Sequence, residues 1–272
     1  MSRFLHAGPR TAPDGEDAAP ATVLFGMPID ALSLPEAVAA IIDAAGRGDR
    51  GYVVTPNVDH VVRFQSDPVF RAAYAGAALS LADGMPVVWA AGFLGVPLKG
   101  RVAGADLLPA LCGAAVGRAL SVFLLGGEDG VAGAAASALA ARFPGLRIAG
   151  THTPPPRFGD DAASTAAAIE AVNAASPDIL FVGLGSPKQE CWVHGQWERL
   201  SAVVAVCCGA ALDYAAGTKT RAPRWMRRGG LEWLWRLAGE PGRLWRRYLV
   251  RDAAFVGIVL KEWWRRRVRV SR

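Results

Sequence analysis

Most of the patterns by which metal-, thiol- and P-loop-dependent enzymes are read from sequence are missing from this chain. No Asp-x-Asp occurs in its 272 residues, and His6, His60, His152 and His194 show no helical ligand pairing with acids. Neither a dedicated metal site nor a resident cofactor is therefore expected. The glycine-rich stretch Leu124-Leu125-Gly126-Gly127-Glu128-Asp129-Gly130-Val131 lacks both the G-x-G-x-x-G spacing and the Lys-Ser/Thr of a P-loop, which excludes a Walker-type phosphate site. Cys112, Cys191, Cys207 and Cys208 form no C-x-x-C; the last two sit in a Val-rich run where neighbours on a strand point to opposite faces, so buried thiols are expected. Long apolar runs are absent too. The longest uncharged stretch near the C-terminus, 253–260, has eight residues, far short of the roughly 20 that span a bilayer. Residues 1–21 contain no apolar segment of signal-peptide type, and their Pro, Gly and acidic content reads as a mobile leader, which predicts a cytosolic protein.

Charge, by contrast, is plentiful and uneven. Residues 217–272 carry 16 Lys/Arg against four acids and six of the nine tryptophans, whereas the first 216 residues carry 14 Lys/Arg against 20 acids. The formal +6 is thus a body at −6 joined to a tail at +12. Indole rings settle at membrane interfaces while Arg stems carry their charge to headgroups, so the tail predicts work at an anionic membrane surface. Nucleic acid is the competing partner, since the same residues contact phosphates and stack on bases. Against it, Leu231, Leu234, Trp235 and Leu237 recur at helical spacing, the pattern of an amphipathic face seated in lipid or on a core.

Short apolar runs alternate with Ala-rich segments of helical length, which predicts a parallel sheet with covering helices. Strands are expected at 22–25, 51–54, 78–81, 121–125, 147–150, 179–183 and 202–207. Ser33-x-x-Glu36 reads as a capping box and Asp160-Asp161 as negative charge opening a later helix, after a loop at Pro154-Pro155-Pro156. The chain divides into a leader (1–21), a core (22–216) and a helical appendage (217–272), the last with helices at 223–237 and 241–267.

In open parallel sheets ligands bind outside the carboxyl ends of the strands, so the polar residues there are the candidates. They are Thr55 to His60, with Thr55 and Asn57, after 51–54; Ala82 to Gly84, with Asp83, after 78–81; Leu184 to Glu190, with Gly185 and Gln189, after 179–183; and the segment reaching Asp213-Tyr214 after 202–207. Each also has a purely structural role open to it, as a helix cap, dipole partner or solvated helix residue. Gly126 and Gly127 form a turn that lets backbone amides approach a nucleotide, and equally a plain tight βα turn. A nicotinamide-dependent oxidoreductase on such a sheet would need an acid about 20 positions after this turn, where Arg142 to Arg147 offer none.

In order along the chain, TPNVDH, LADGMPVVW, RVAGADLL, VFLLGG-x-x-GVA, ILFVGLGSPKQE, GAALDYAAGTKTRAP and GLEWLWRLAGEPGRLWRRY resemble the WecG/TagA/CpsF family of glycosyltransferases, family 26, over nearly the whole chain. The resemblance implies a Rossmann-like α/β core, a membrane-docking C-terminal appendage, and metal-independent, inverting transfer of a sugar from a UDP-sugar to a polyprenyl-diphosphate-linked saccharide. The sugar is N-acetylmannosamine, its uronic acid or glucose. Carried over by motif, Asp83 is the general base, Thr55, Asn57 and Gln189 are polar pocket residues, and Arg236, Arg243 and Arg246 reach the diphosphate. Gly126, Gly127, Gly185 and Asp213 are then the expected nucleotide contacts, a homo-oligomer is compatible with the chain, and its place is the inner face of a bacterial plasma membrane.

Overall fold

The computed structural model of the protein describes residues 22–155, 158 and 161–270. The leader expected over 1–21 lies outside them, as do Pro156 and Asp160. The chain opens with β1 (Thr22–Leu24) and β2 (Met27–Ile29), which pair antiparallel. This corrects the expectation that 22–25 joins the parallel sheet. The link is Phe25 and Gly26, both at positive φ, and two such residues close a hairpin, whereas a parallel crossover needs a dozen or more.

The main sheet has six strands, all parallel: β3 (Gly51–Val54), β4 (Leu79–Ser80), β5 (Ser121–Gly126), β6 (Arg147–His152), β7 (Ile179–Gly183) and β8 (Val204–Cys207), in the spatial order β4-β3-β8-β7-β5-β6. Helices cover both faces, as unbroken apolar strands require. One face carries α1 (Leu34–Arg47), α5 (Gly104–Val116), α6 (Val131–Arg142) and α9 (Ala211–Ala216). The other carries α2 (Val58–Phe64), α3 (Pro68–Ala75), α4 (Met85–Phe93), α7 (Ala162–Ala175) and α8 (Lys188–Gln196). Strand alternation is visible in β8, where Ala205 and Cys207 enter the second core and Val206 and Cys208 the first. All four cysteines are free thiols, three of them buried, and burial pushes the Cys112 thiol up to about 12. The capping box opens α1, with Ser33 and Glu36 satisfying each other's backbone N–H groups.

Past Gly217, which ends α9 in the left-handed conformation, come α10 (Arg224–Arg228), α11 (Glu232–Gly239), α12 (Pro241–Trp245), a π-helical segment (Arg246–Arg251) and α13 (Ala254–Val270). The single helix expected over 223–237 is broken at Gly229-Gly230. Gly230 sits at φ +68, a conformation that other residues rarely adopt, and a Cβ there would crowd Trp89 and Met85 of α4. The helix expected over 241–267 is likewise interrupted by the π-helical segment. Among the described residues no helix is long and apolar enough to cross a membrane.

Candidate active site

The carboxyl ends of β3, β4, β7 and β8 open into a cavity of about 630 Å³, within the usual size of small-ligand sites. Its floor is core loop and its roof is tail, with Trp233, Arg236, Arg247, Tyr248 and Leu249 lining it from above. Thr55, Asn57, Asp83, Gly127, Gly185, Gln189, Asp213 and Arg236 all border this one space.

Asp83 follows β4 in a loop pinned on both sides: its N–H donates to the Pro56 carbonyl at 2.7 Å, and the Ala82 carbonyl accepts from Val102 at 2.8 Å. Its carboxylate makes no hydrogen bond or ion pair among the described residues and faces the cavity. Surrounding protein desolvates it, which pushes its pKa up to about 6; Glu232 adds to the rise, while Arg101, Arg236 and Arg221 oppose it. A carboxylate in that range is ionised at neutral pH yet basic enough to accept a proton usefully. His60 also lines the cavity, but burial, with Arg247, Arg63 and Arg251 nearby, lowers its pKa to about 3, and its Nδ1 is tied to the Tyr74 hydroxyl at 2.7 Å.

Other expected residues are present with their polar atoms already engaged. The Thr55 hydroxyl donates to the Cys207 carbonyl at 3.1 Å, clamping β3 to β8. Asn57 caps α2 by accepting from the His60 N–H at 3.3 Å. Gln189 is buried, donating to Glu190 at 2.7 Å and accepting from the Gly209 N–H at 3.1 Å, so it braces the loop after β8. Glu190 behind it is fully buried, and burial pushes its carboxyl up to about 7. Gly126 does not border the cavity; a side chain there would strike the Gly183 backbone, so it serves the close approach of β5 and β7. The Gly127 N–H donates to the Gly183 carbonyl at 3.1 Å. Asp213 pairs with Lys219 at 3.8 Å.

From the tail, Arg236 faces the cavity with no ion pair among the described residues. Burial pulls its pKa down, but Tyr248, Tyr214, Asp83 and Glu232 outweigh this and hold it raised, a fixed positive charge. Arg246 is exposed and stacks over Trp245 at 5.3 Å, away from the cavity; its neighbour Arg247 borders the site instead. The side chain of Arg243 lies outside the described residues.

Two ionic clusters that sequence reasoning missed seat the tail. On one side Arg101 and Asp106 of the core meet Arg221 and Glu232 of the tail. On the other, buried Asp59 holds Arg247 at 3.2 Å and also Arg251. Beside that cluster, burial and the Asp59 charge push Asp252 up to about 6, while Arg247 and Arg251 oppose the rise. The sequence signal was slight: Asp59 and Glu232 stand inside the motifs TPNVDH and GLEWLWRL, but nothing local says what they pair with.

A carboxylate lent by the core and a cation lent by the tail thus border one cavity, and the comparison with known proteins points to sugar transfer. A Bacillus spizizenii (strain W23) protein named N-acetylglucosaminyldiphosphoundecaprenol N-acetyl-beta-D-mannosaminyltransferase is 33% identical over 198 residues, 73% of this chain and 74% of that one. Proteins of the same name from Bacillus subtilis (strain 168) and Staphylococcus aureus (strain NCTC 8325) are 33% and 31% identical, covering 62% and 68% of this chain and 63% and 70% of their own. Residues 22–269, which take in both the sheet and the roof over the cavity, match the Glycosyl transferase WecG/TagA/CpsF family, and the chain belongs to it.

Proposed function

We propose that this sugar transferase moves N-acetylmannosamine from a UDP-sugar to N-acetylglucosaminyl-diphospho-polyprenol, with inversion and at an anionic membrane surface. The observation that carries the reading is the facing of Asp83 and Arg236 across one cavity. Ionised Asp83 takes the proton of the acceptor hydroxyl as that oxygen bonds to the anomeric carbon. The bond from that carbon to the diphosphate oxygen breaks on the opposite face, and UDP departs with one more negative charge. Inversion follows from the single in-line displacement, for which one base is enough. Arg236, and Lys188 at the start of α8, supply cations where that charge develops. The names of the relatives support the choice of sugar and acceptor.

The membrane surface is supported by exposed apolar side chains set among arginines. Trp225, Trp245, Leu249, Val250 and Trp264 are exposed along the tail. Trp89 and Phe93 of α4 extend the same surface onto the core, Trp89 beside Gly230 and Phe93 stacked on Trp263 at 6.2 Å. A polyprenyl acceptor held in the bilayer and a donor dissolved in the cytosol would meet there, on the inner face.

The test is turnover of UDP-N-acetylmannosamine, its uronic acid and UDP-glucose with a short-chain N-acetylglucosaminyl-diphospholipid, with product mass by spectrometry and anomeric configuration by NMR. The N-acetylmannosamine product with inverted configuration is expected, in excess EDTA as well as without it. Retention of configuration, or no product from any UDP-sugar, overturns the mechanism; activity that is abolished by EDTA and restored by Mg²⁺ or Mn²⁺ overturns its metal independence.

A further inference from the structure

The ionic cluster between Arg101, Asp106, Arg221 and Glu232 is a closed ring of alternating charge. Arg221 grips Asp106 with both terminal nitrogens, at 2.6 and 2.9 Å, and its Nε donates to Glu232 at 3.3 Å. Arg101 completes the circuit, donating to Glu232 at 2.7 Å and to Asp106 at 3.0 Å. Each carboxylate has two arginines and each arginine two carboxylates, so no member can swing away without breaking two contacts. Arg227 adds a fifth charge, 3.5 Å from Asp106. The members are only 14 to 26% exposed, where bidentate Arg–carboxylate pairs are strong and direction-specific.

Ring geometry translates into site geometry through one helical turn. Glu232 is the first residue of α11 and Arg236 lies four residues on, hence on the same face. Fixing Glu232 therefore aims Arg236. The Trp235 indole N–H, donating to the Thr220 carbonyl at 3.1 Å, pins the same turn from its flank. Asp106 and Arg221 do not border the cavity, so their part is played through others.

We infer that Asp106 and Arg221 are positioning residues: they close a latch that sets α11 on the core and holds Arg236 opposite Asp83. The inference rests on the reading of Asp83 as base and Arg236 as diphosphate partner. Docking of the tail and completion of the site are then one event, and the carboxylate at the start of α5 belongs to the reaction without touching substrate.

The test compares Asp106→Asn, Asp106→Glu and Asp83→Asn in the full-length protein, using UDP-N-acetylmannosamine and the short-chain acceptor. Asp106→Asn is expected to lower kcat roughly 10- to 100-fold, the scale of a small misplacement of an acting group, with the donor KM little changed. Amide hydrogen exchange across residues 232–239 should accelerate in the same variant. Asp106→Glu, which keeps the charge, should recover most of the rate and the protection, a rescue that loss of packing alone would not show. Asp83→Asn should leave that protection intact. Full turnover by Asp83→Asn sinks the reading of the site, whatever the ring does. An inactive Asp83→Asn beside an Asp106→Asn with normal kcat and normal protection overturns the latch. If Asp106→Asn does not fold, Arg221→Gln breaks the ring from the tail side, outside the sheet, and is judged by the same two readouts.

Discussion

Leu124, Phe181 and Val206 are wholly shielded on their strands, whereas no side chain of α11 or of the π-helical segment is buried. The sheet is held by apolar burial, at about 25 cal/mol per Å² removed from water, which ionic strength hardly touches. The tail is held by ion pairs, through Asp106 and Glu232 on one side of the cavity and Asp59 on the other, together with apolar contacts: Phe255, Ile258, Val259 and Trp263 pack on the core, and Leu244 and Met226 are buried. Pairs this enclosed are screened less than exposed ones, so raising salt from 0.1 M to 1 M, where the screening length falls from about 10 Å to about 3 Å, weakens them only in part. One half of the site is thus built on the sheet and the other on a tail seated by ionic and apolar contacts together.

The half built on the sheet should show the largest single effect. Asp83→Asn is expected to reduce turnover by roughly 10²- to 10⁴-fold, the range for a lost general base, with the melting temperature and UDP binding nearly unchanged. In the unaltered protein the rate should fall as pH drops through about 6, because a base must be ionised to act and burial raises this one. An acid limb near the ordinary carboxylate value would place the proton acceptor elsewhere.

Next comes the half built on the tail. Truncation after residue 216, and Arg236→Ala in the full chain, should each cost roughly 10²-fold on the soluble acceptor, the scale of a lost charge-stabilising donor. Truncation alone should release the protein from anionic liposomes, since it removes the +12 tail. A truncated protein that turns over soluble acceptor at the full rate would make the tail an anchor and leave the site complete without it.

What was legible in the sequence divides along the same line. Strands 51–54 and 179–183 coincide with β3 and β7 because an apolar run between turn residues leaves little choice of register. Thr55, Asn57 and Asp83 were findable because strand ends in a parallel sheet share one side of the molecule. The opposite facing of Cys207 and Cys208 follows from the two-residue period alone. None of this reaches the tail. Arg221 meets Asp106 across 115 positions and Arg101 meets Glu232 across 131, separations that no local pattern encodes. Arg247 rather than Arg246 borders the cavity where the π-helical segment departs from the regular α-helical phase, which a uniform helix over 241–267 cannot anticipate. The break at Gly229-Gly230, however, was there to be read as two adjacent helix-breakers.

A smaller effect should separate the tail's two seats. Asp59→Asn removes the buried partner of Arg247 and Arg251 while leaving the ring around Asp106 intact. Arg251, 42% exposed, keeps its access to water and Arg247, 21% exposed, keeps part of it, so the loss should be about 1 to 3 kcal/mol of docking, below the full cost of a stranded buried charge. Exchange protection in α13 should therefore fall while that in α11 is largely kept, and added salt should widen the gap. Equal loss at both helices would mean that the tail leaves the core as one body.

The smallest effect expected tests whether the division between core and tail also holds at the membrane. Trp89 and Phe93 are 53 and 57% exposed although they belong to a core helix, and they lie against Gly230 and Trp263 of the tail. If the bilayer meets both parts, replacing Trp89 and Phe93 by Ser should weaken liposome binding by about 1 kcal/mol each, roughly fivefold per residue, from lost apolar contact. The fold should tolerate the change because more than half of each side chain is exposed to solvent. Binding that remains would depend more heavily on the tail's arginines, so its salt dependence should steepen relative to that of the unaltered protein. Identical binding by the double variant at low and high salt would confine membrane contact to the tail. The core would then approach the bilayer only as closely as the ionic seats around Asp106 and Asp59 carry it.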